Sequence, residues 1–458
     1  MTELARRYRV STRRSSELAL LVAAWLLGVF AWVLVDTATG VSSLGGWTAL
    51  VSSGLLMLVA HAVVRWQIPY ADPILLPTVS ALNLLGLAMI HRLDIASAQR
   101  AIANGTEQPT PDVYLQLTWM AVGLLVFMIV VVAMPDHRQL QRYTWTAGFA
   151  GLVLLFVPLL PFIGNEVNGA RLWVRVLGMS FQPGELAKVA LTLFFAGFLV
   201  TRRHSLALVQ TKVLGVGMPR PKDVGPLVFM WVVALLVLVF ERDLGTSLLF
   251  FGLFVTMLYI ATSRRSWVLI GAALLSLSGL AAYRLFGHVQ VRFDVWLHPF
   301  QDASGSGFQI VQSLYGLANG GLFGTGWGQG YPHLVPFAKT DFITSALGEE
   351  LGLTGLVAIL LLYAVVIERG ARAAAATRDP FGNLIAMGLT TVLALQTFIV
   401  IAGVTRLVPL TGLTTPYLSY GGSSLVANYL ILAVLMRVSS LSRQPDVPMN
   451  TTSVQVLS

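Results

Sequence analysis

Apolar residues run through this chain in stretches long enough to cross hydrocarbon, with centres near residues 27, 56, 81, 123, 153, 193, 232, 252, 275, 355, 394 and 430. Each run approaches the length of about 20 residues that a helix needs to traverse a bilayer core of about 30 Å. The pattern predicts an all-α polytopic membrane protein with about twelve transmembrane helices. It lapses most conspicuously between the ninth and tenth runs. There the segment from about Gly287 to Thr340, including HPFQDASGSGFQIVQSLYGLANGGLFGTG, collects an acid, several amides, aromatics and many glycines. Chemistry is expected in that segment.

Composition strengthens the membrane reading. Of 458 residues, 56% are hydrophobic and 11% charged, and the mean hydropathy is +0.75. Such a chain cannot fold as a water-soluble enzyme. The net charge of +9 does not imply nucleic acid, because most of the 30 basic residues alternate from one connection to the next. Arg6, Arg7, Arg9, Arg13 and Arg14 precede the first run. Arg65, then Arg138 with Arg142, then Arg202, Arg203, Lys212, Arg220 and Lys222 continue the pattern, followed by Arg264 with Arg265, by Arg369, Arg372 and Arg378, and by Arg437 with Arg443. The positive-inside rule puts these loops and both termini in the cytoplasm and the 287–340 segment outside. No small-residue cleavage site follows the first run, so it reads as an uncleaved span. The absence of cysteine excludes disulfides, thiolate metal sites and thiol catalysis. No HExxH, dinucleotide fingerprint or Walker lysine loop occurs, and lone histidines such as His298 and His333 read as loop residues.

Within the outer segment, Asp302 stands in QDASGSG, a context that suits both a simple turn and a presented carboxylate. Gln309, Gln312 and Ser313 follow at i, i+3 and i+4 spacing. A helix starting near Gly307 lines them on one face, fit for a polyhydroxylated substrate, and packs Ile310, Leu314 and Leu317 on the other. Glu185 and Lys188, also at i, i+3, open the sixth run after a helix-breaking QPG; each charge at membrane depth costs about 2.5–3.5 kcal/mol, so an ion pair and a substrate contact are both open readings. Glu241, Arg242 and Asp243 make a tight outer turn that capping explains. Asp341 is a good N-terminal acid for the tenth helix, whereas Glu349 and Glu350 lie too deep to be caps and point to a polar cavity. PLTGLTTPYLSYGGSSL, residues 409–425, breaks the helical pattern and brings Ser419, Tyr420, Ser423 and Ser424 toward the same side.

In order and spacing, NGARLWVRVLGMSFQPGELAK, FERDLGTS, HPFQDASGSGFQIVQSLYGLANGGLFGTG, TDFITSALGEELGLTG and PLTGLTTPYLSYGGSSL resemble the SEDS family of bacterial cell-wall polymerases, the RodA, FtsW and SpoVE group. The likeness is nearest to the RodA-type branch of high-GC Gram-positive bacteria. It implies a family core of ten spans preceded by two additional ones. The chain then divides into residues 1–70, carrying the extra spans, a core of 71–440 with its catalytic loop at 287–340, and a disordered tail, 441–458. The family's essential aspartate lies in Pro-x-x-Asp-x-x-Gly-x-Gly, here Pro299, Asp302, Gly305 and Gly307. His298 stands where the family usually has Asp or Asn, and Arg171 lies one residue earlier than its Arg-Trp pair.

The resemblance further implies polymerisation of lipid II, an undecaprenyl-pyrophosphate-linked disaccharide pentapeptide, in the outer leaflet of the plasma membrane. Inversion from an α-linked diphosphate to a β-1,4 bond calls for one general base, Asp302, and for positive charge on the leaving group. Lys188, Arg171, Arg292 and Arg406 are the candidate cations, with a divalent ion, Mg²⁺ or Mn²⁺, on the diphosphate. Glu185, Asp243, Gln309, Gln312, Ser313, Asp341, Glu350, Ser419 and Ser423 complete the expected substrate-binding set. A single-span class B penicillin-binding protein is the implied partner. The alternatives are a lipid II flippase, a division-type role, and a noncatalytic scaffold.

Overall fold

The computed structural model describes residues 12–41, 44–167, 170–176, 179–207, 211–213, 216–218 and 221–445. Arg6, Arg7, Arg9 and Arg220, together with the tail beyond residue 445, lie outside the described residues. The chain forms α1 (Arg14–Thr39), α2 (Leu44–Gln67), α3 (Leu75–Ala103), α4 (Asp112–Ala133), α5 (Thr144–Phe156), α6 (Pro183–Ala207) and α7 (Pro221–Phe240). It continues with α8 (Leu244–Thr262), α9 (Arg265–Leu285), α10 (Gly287–Leu297), α11 (Phe308–Gly320), α12 (Ile343–Ala376), α13 (Pro380–Val404) and α14 (Gly422–Arg443). Every expected run centre falls in a helix. Among the described residues 11 helical segments are long and apolar enough to cross a membrane, and the position near 232 falls in the shorter apolar stretch Val224–Phe240, with Pro226 near its start.

The bundle is built around helices that are apolar on all sides. The membrane-length window of α3 is entirely buried and that of α14 nearly so, whereas α9 is almost wholly exposed along its length. An all-apolar helix surrounded by neighbours belongs in the centre, and one with a bare apolar surface faces lipid. α3 packs on α1 and α12, α14 on α4 and α12, and α13 joins α6, α8 and α12. Local signals set several boundaries. Asp243 caps α8 by accepting from Thr246 N–H at 2.8 Å, and Asp379 caps α13 by accepting from Gly382 N–H at 2.7 Å, with Pro380 at the first helical position. α12 breaks at Gly352, whose φ of 68° and ψ of −172° suit glycine alone.

Two departures from the all-helical expectation are small. β1 (Gly164–Val167), β2 (Ala170–Val176) and β3 (Met179–Phe181) form an antiparallel sheet in the order β1-β2-β3, and β4 (Thr211–Val213) pairs with β5 (Val216–Met218). Both lie between spanning helices, where backbone groups must pair locally or with water. The polar 287–340 segment also differs from an open loop, since it holds α10 and α11.

Candidate functional site

The segments around residues 287–308 and 405–421 meet at one end of the bundle. Arg292, on α10, donates to the carbonyls of Leu410 and Thr411, both at 3.2 Å. Arg406, in left-handed geometry at φ 61°, donates to Trp296 O at 2.7 Å and Leu297 O at 2.6 Å, and its own carbonyl accepts from Trp296 Nε1 at 3.1 Å. A groove of about 460 Å³ opens there, lined by Trp296, Leu297, Leu314, Thr405 and Arg406. Arg406 brings a positive charge to the groove while donating only to carbonyls there, whereas Arg292 lies within electrostatic reach of Asp243 and Asp341.

Asp302 is exposed in the turn that leads into α11. Its Oδ2 accepts from Ser306 N–H at 2.7 Å and from Ser306 Oγ–H at 2.9 Å. These two donors hold the carboxyl below the usual aspartate range, so it is ionised at neutral pH. The neighbouring glycines have a steric reason. A Cβ on Gly305 would lie 2.4 Å from Asp302 Oδ2, and one on Gly307 would lie 2.2 Å from Pro299 O. A side chain at Gly307 would strike the Pro299 carbonyl and open the turn, and one at Gly305 would push the Asp302 carboxylate aside.

α11 begins at Phe308, as its spacing predicted, but its faces are not the expected ones. Ser313 is fully buried beside Ile310 and Val311, its carbonyl accepts from Ser345 Oγ at 3.0 Å, and its own hydroxyl has no partner among the described residues. Gln309 and Gln312 stay partly exposed. Close approach to α12 sets the face through small residues: a Cβ on Gly320 would sit 2.1 Å from Gly348 O, and one on Gly316 would sit 3.2 Å from Glu349 Oε2. Small side chains in register outweigh the Leu314 and Leu317 stripe here.

Glu185 and Lys188 form a buried ion pair at 2.5 Å, and Lys188 Nζ also donates to Gln396 Oε1 at 2.8 Å. The lysine charge is thus cancelled and its donors engaged inside the α6, α13 and α14 junction, which departs from the expected phosphate contact. Asp243 is a buried helix cap. Asp341 lies at the mouth of α12, within electrostatic reach of Arg292, and burial pushes its carboxyl up to about 6. Ser419 Oγ donates to Thr340 O at 2.6 Å and accepts from Thr415 N–H at 2.9 Å, so it fastens residues 415–419 to the end of the 287–340 segment. Ser423 is buried in the first turn of α14. Arg171 is exposed on β2 and paired with Glu166 at 3.2 Å.

Glu350 has a partner that the sequence reading missed. Arg92 Nε donates to Glu350 Oε1 at 3.0 Å and Arg92 Nη2 to Gly330 O at 2.9 Å, while Glu350 Oε2 accepts from Gly328 N–H at 2.9 Å. Beside it, Glu349 Oε1 accepts from Asn319 Nδ2 at 3.0 Å and Tyr331 N–H at 2.8 Å. The two carboxylates hold the glycine-rich loop that follows α11. Arg92 lies inside α3, which runs from Leu75 to Ala103 and so extends well past the apolar run centred near residue 81. Lys339 bridges Asp94 at 2.5 Å and Asp112 at 2.7 Å in a third such fastening. Among the described residues no three His, Asp or Glu side chains converge on a metal-sized site. The donor set does not fit a divalent ion held by protein groups alone.

Bundle and site together define a polytopic membrane protein with a carboxylate and two arginines presented at one end, on loops fastened by buried polar pairs. The family model FTSW_RODA_SPOVE, described as "Cell cycle protein", matches residues 73–444, and the chain belongs to that family. It is 50% identical over 439 residues to "Peptidoglycan glycosyltransferase RodA" of Mycobacterium tuberculosis (strain ATCC 25618 / H37Rv), covering 95% of this chain and 92% of that one. The protein of the same description from Mycobacterium leprae is 46% identical, over 98% of this chain and 95% of its own. Among solved structures, a chain of "Structural coordination of polymerization and crosslinking by a peptidoglycan synthase complex" superposes with a TM-score of 0.64 at 26% identity, covering 82% of this chain and 99% of that one. RodA of Thermus thermophilus superposes with a TM-score of 0.56 at 25% identity, covering 82% and 98%.

Proposed function

We propose that this chain is a peptidoglycan glycosyltransferase that polymerises lipid II into β-1,4 glycan strands at the outer face of the plasma membrane, in support of elongation. The observation that carries the reading is likeness along almost the whole chain to proteins described by that activity, joined to an exposed, ionised Asp302. In the proposed step, the 4-hydroxyl oxygen of one lipid-linked sugar forms a bond to C1 of another, and the C1 bond to the diphosphate oxygen breaks. Asp302 takes the hydroxyl proton, and the leaving diphosphate departs as an anion beside Arg292 and Arg406. A divalent ion, Mg²⁺ or Mn²⁺, suits the substrate's diphosphate and would arrive with it, since such ions commonly bind through phosphates and one or two carboxylates. Gln309 and Gln312 remain placed for sugar hydroxyls. The expected topology, with twelve spans and cytoplasmic termini, puts this end outside, and a class B penicillin-binding protein is the proposed partner.

The test is strand formation from purified lipid II by the chain co-purified with its transpeptidase, comparing wild type with Asp302→Asn at matched folding. Polymer from wild type alone supports the reading. Equal polymer from both removes Asp302 as the base, and lipid II crossing liposomes without polymer from either protein supports the flippase.

A further inference from the structure

The family match begins at residue 73, so α1 and α2 lie outside it, yet α1 is held by polar contacts an ordinary lipid-facing span would lack. Near its outer end, Asp36 Oδ1 accepts from His91 Nε2 at 2.8 Å, and Trp32 stacks on the His91 ring with centroids 3.8 Å apart. All three side chains are buried. One residue further along α3, Arg92 grips Glu350 and the Gly330 carbonyl. The same loop rests on α1 directly. A Cβ on Gly328 would fall 2.7 Å from Ala38 Cβ and 3.4 Å from Val35 O, so the loop backbone touches the last turns of α1.

We infer that α1 is a positioning element for the outer loop: the Asp36 and His91 contact sets the register of α1 on α3, which seats Val35 and Ala38 under Gly328 and completes the wall that holds residues 321–331. The physical reason lies in the bilayer. Apolar helices slide against one another at little cost in lipid, because the tails are as apolar as the side chains. A buried polar contact has a single satisfying register and therefore locks the pair. The loop needs such a lock. It carries φ values of 83° at Gly324, 99° at Gly326 and 78° at Gly328, and its other ties run to Glu349 and Glu350 and to Arg92 of α3, none of them to α1 among the described residues. Because the loop continues directly from α11, whose other end leads back to Asp302, its position sets that of the proposed base. Asp36, His91 and Trp32 are thus positioning residues, and the part of the inference that concerns turnover rests on the polymerase reading.

The test compares Asp36→Leu, Asp36→Asn and Glu17→Gln in the full chain co-purified with its transpeptidase. Glu17 serves as the control because it pairs with Arg14 and His61 at the opposite end of α1. Hydrogen exchange of the Gly326, Gly328 and Tyr331 amides is measured first, without substrate. Asp36→Leu is expected to speed exchange about tenfold or more, while Asp36→Asn, which keeps an acceptor for His91, and Glu17→Gln leave it near wild type. With lipid II, Asp36→Leu lowers kcat and leaves KM within about twofold, as expected when the base is misplaced and binding is not. Unchanged loop exchange in Asp36→Leu overturns the inference, as does equal loosening by Glu17→Gln. A chain that polymerises nothing but shows the exchange pattern refutes the polymerase reading and leaves the clamp standing.

Discussion

Replacing Arg92 with methionine removes a guanidinium whose side chain is 6% exposed from a partner, Glu350, whose side chain is 0% exposed. Two contacts vanish: the 3.0 Å ion pair and the 2.9 Å bond to Gly330 O. Among the described residues Glu350 then keeps the Gly328 N–H as its side-chain donor, so its charge is left buried and poorly matched. Removing one member of a buried pair costs about 3–5 kcal/mol, roughly two to four orders of magnitude in the folding equilibrium. Orphaning the Gly330 carbonyl overlaps with that figure. In Arg92→Met/Glu350→Met neither charge remains, and the double variant is expected to recover about 2–3 kcal/mol relative to the sum of the single changes. The assay is equilibrium unfolding in mixed micelles at rising sodium dodecyl sulfate fraction, followed by tryptophan fluorescence, across the four-protein cycle. Additive single effects, or an Arg92→Met cost below about 1 kcal/mol, would mean that the pair is hydrated and behaves as a surface contact. Arg92 and Glu350 would then not be what holds the glycine loop.

Ser306→Ala removes one of the two donors that depress Asp302, so the carboxyl pKa rises and the acid limb of kcat/KM moves to higher pH; a limb that stays put separates Asp302 from the essential base. Asp341 carries a pKa of about 6 against an ordinary 3.8, so its proton is held more tightly in the folded state. Its contribution to stability is therefore fully present below the unfolded value and is lost as pH rises through about 6. Melting temperatures in detergent should show that decline, and Asp341→Asn should flatten it; an unaltered slope assigns the decline to another group. Gly320→Ala drives a methyl to within 2.1 Å of Gly348 O and should cost about 1–3 kcal/mol, with polymerisation falling as α11 lifts from α12. An unchanged unfolding midpoint would show that the helices can separate freely.

The sequence by itself determined the long apolar helices. Runs of apolar residues long enough for hydrocarbon can only be helices, because lipid offers no partner for an unpaired backbone group. For that reason each expected centre falls in a helix and the polar 287–340 segment stands apart. The glycines around Asp302 were legible too, as the turn-prone context of QDASGSG. Partnership was not legible, because it depends on which helices meet. Glu350 is 258 residues from Arg92, and Lys188 is 208 from Gln396, so no local spacing announces either contact. The face of α11 was decided in the same way. Ser313 reads as polar along the chain, but Gly316 and Gly320 let α12 approach so closely that the serine is enclosed. Local pattern selects secondary structure through propensity and solvent. Only the packed bundle decides which charges cancel, which remain free to act, and which loop they hold in place.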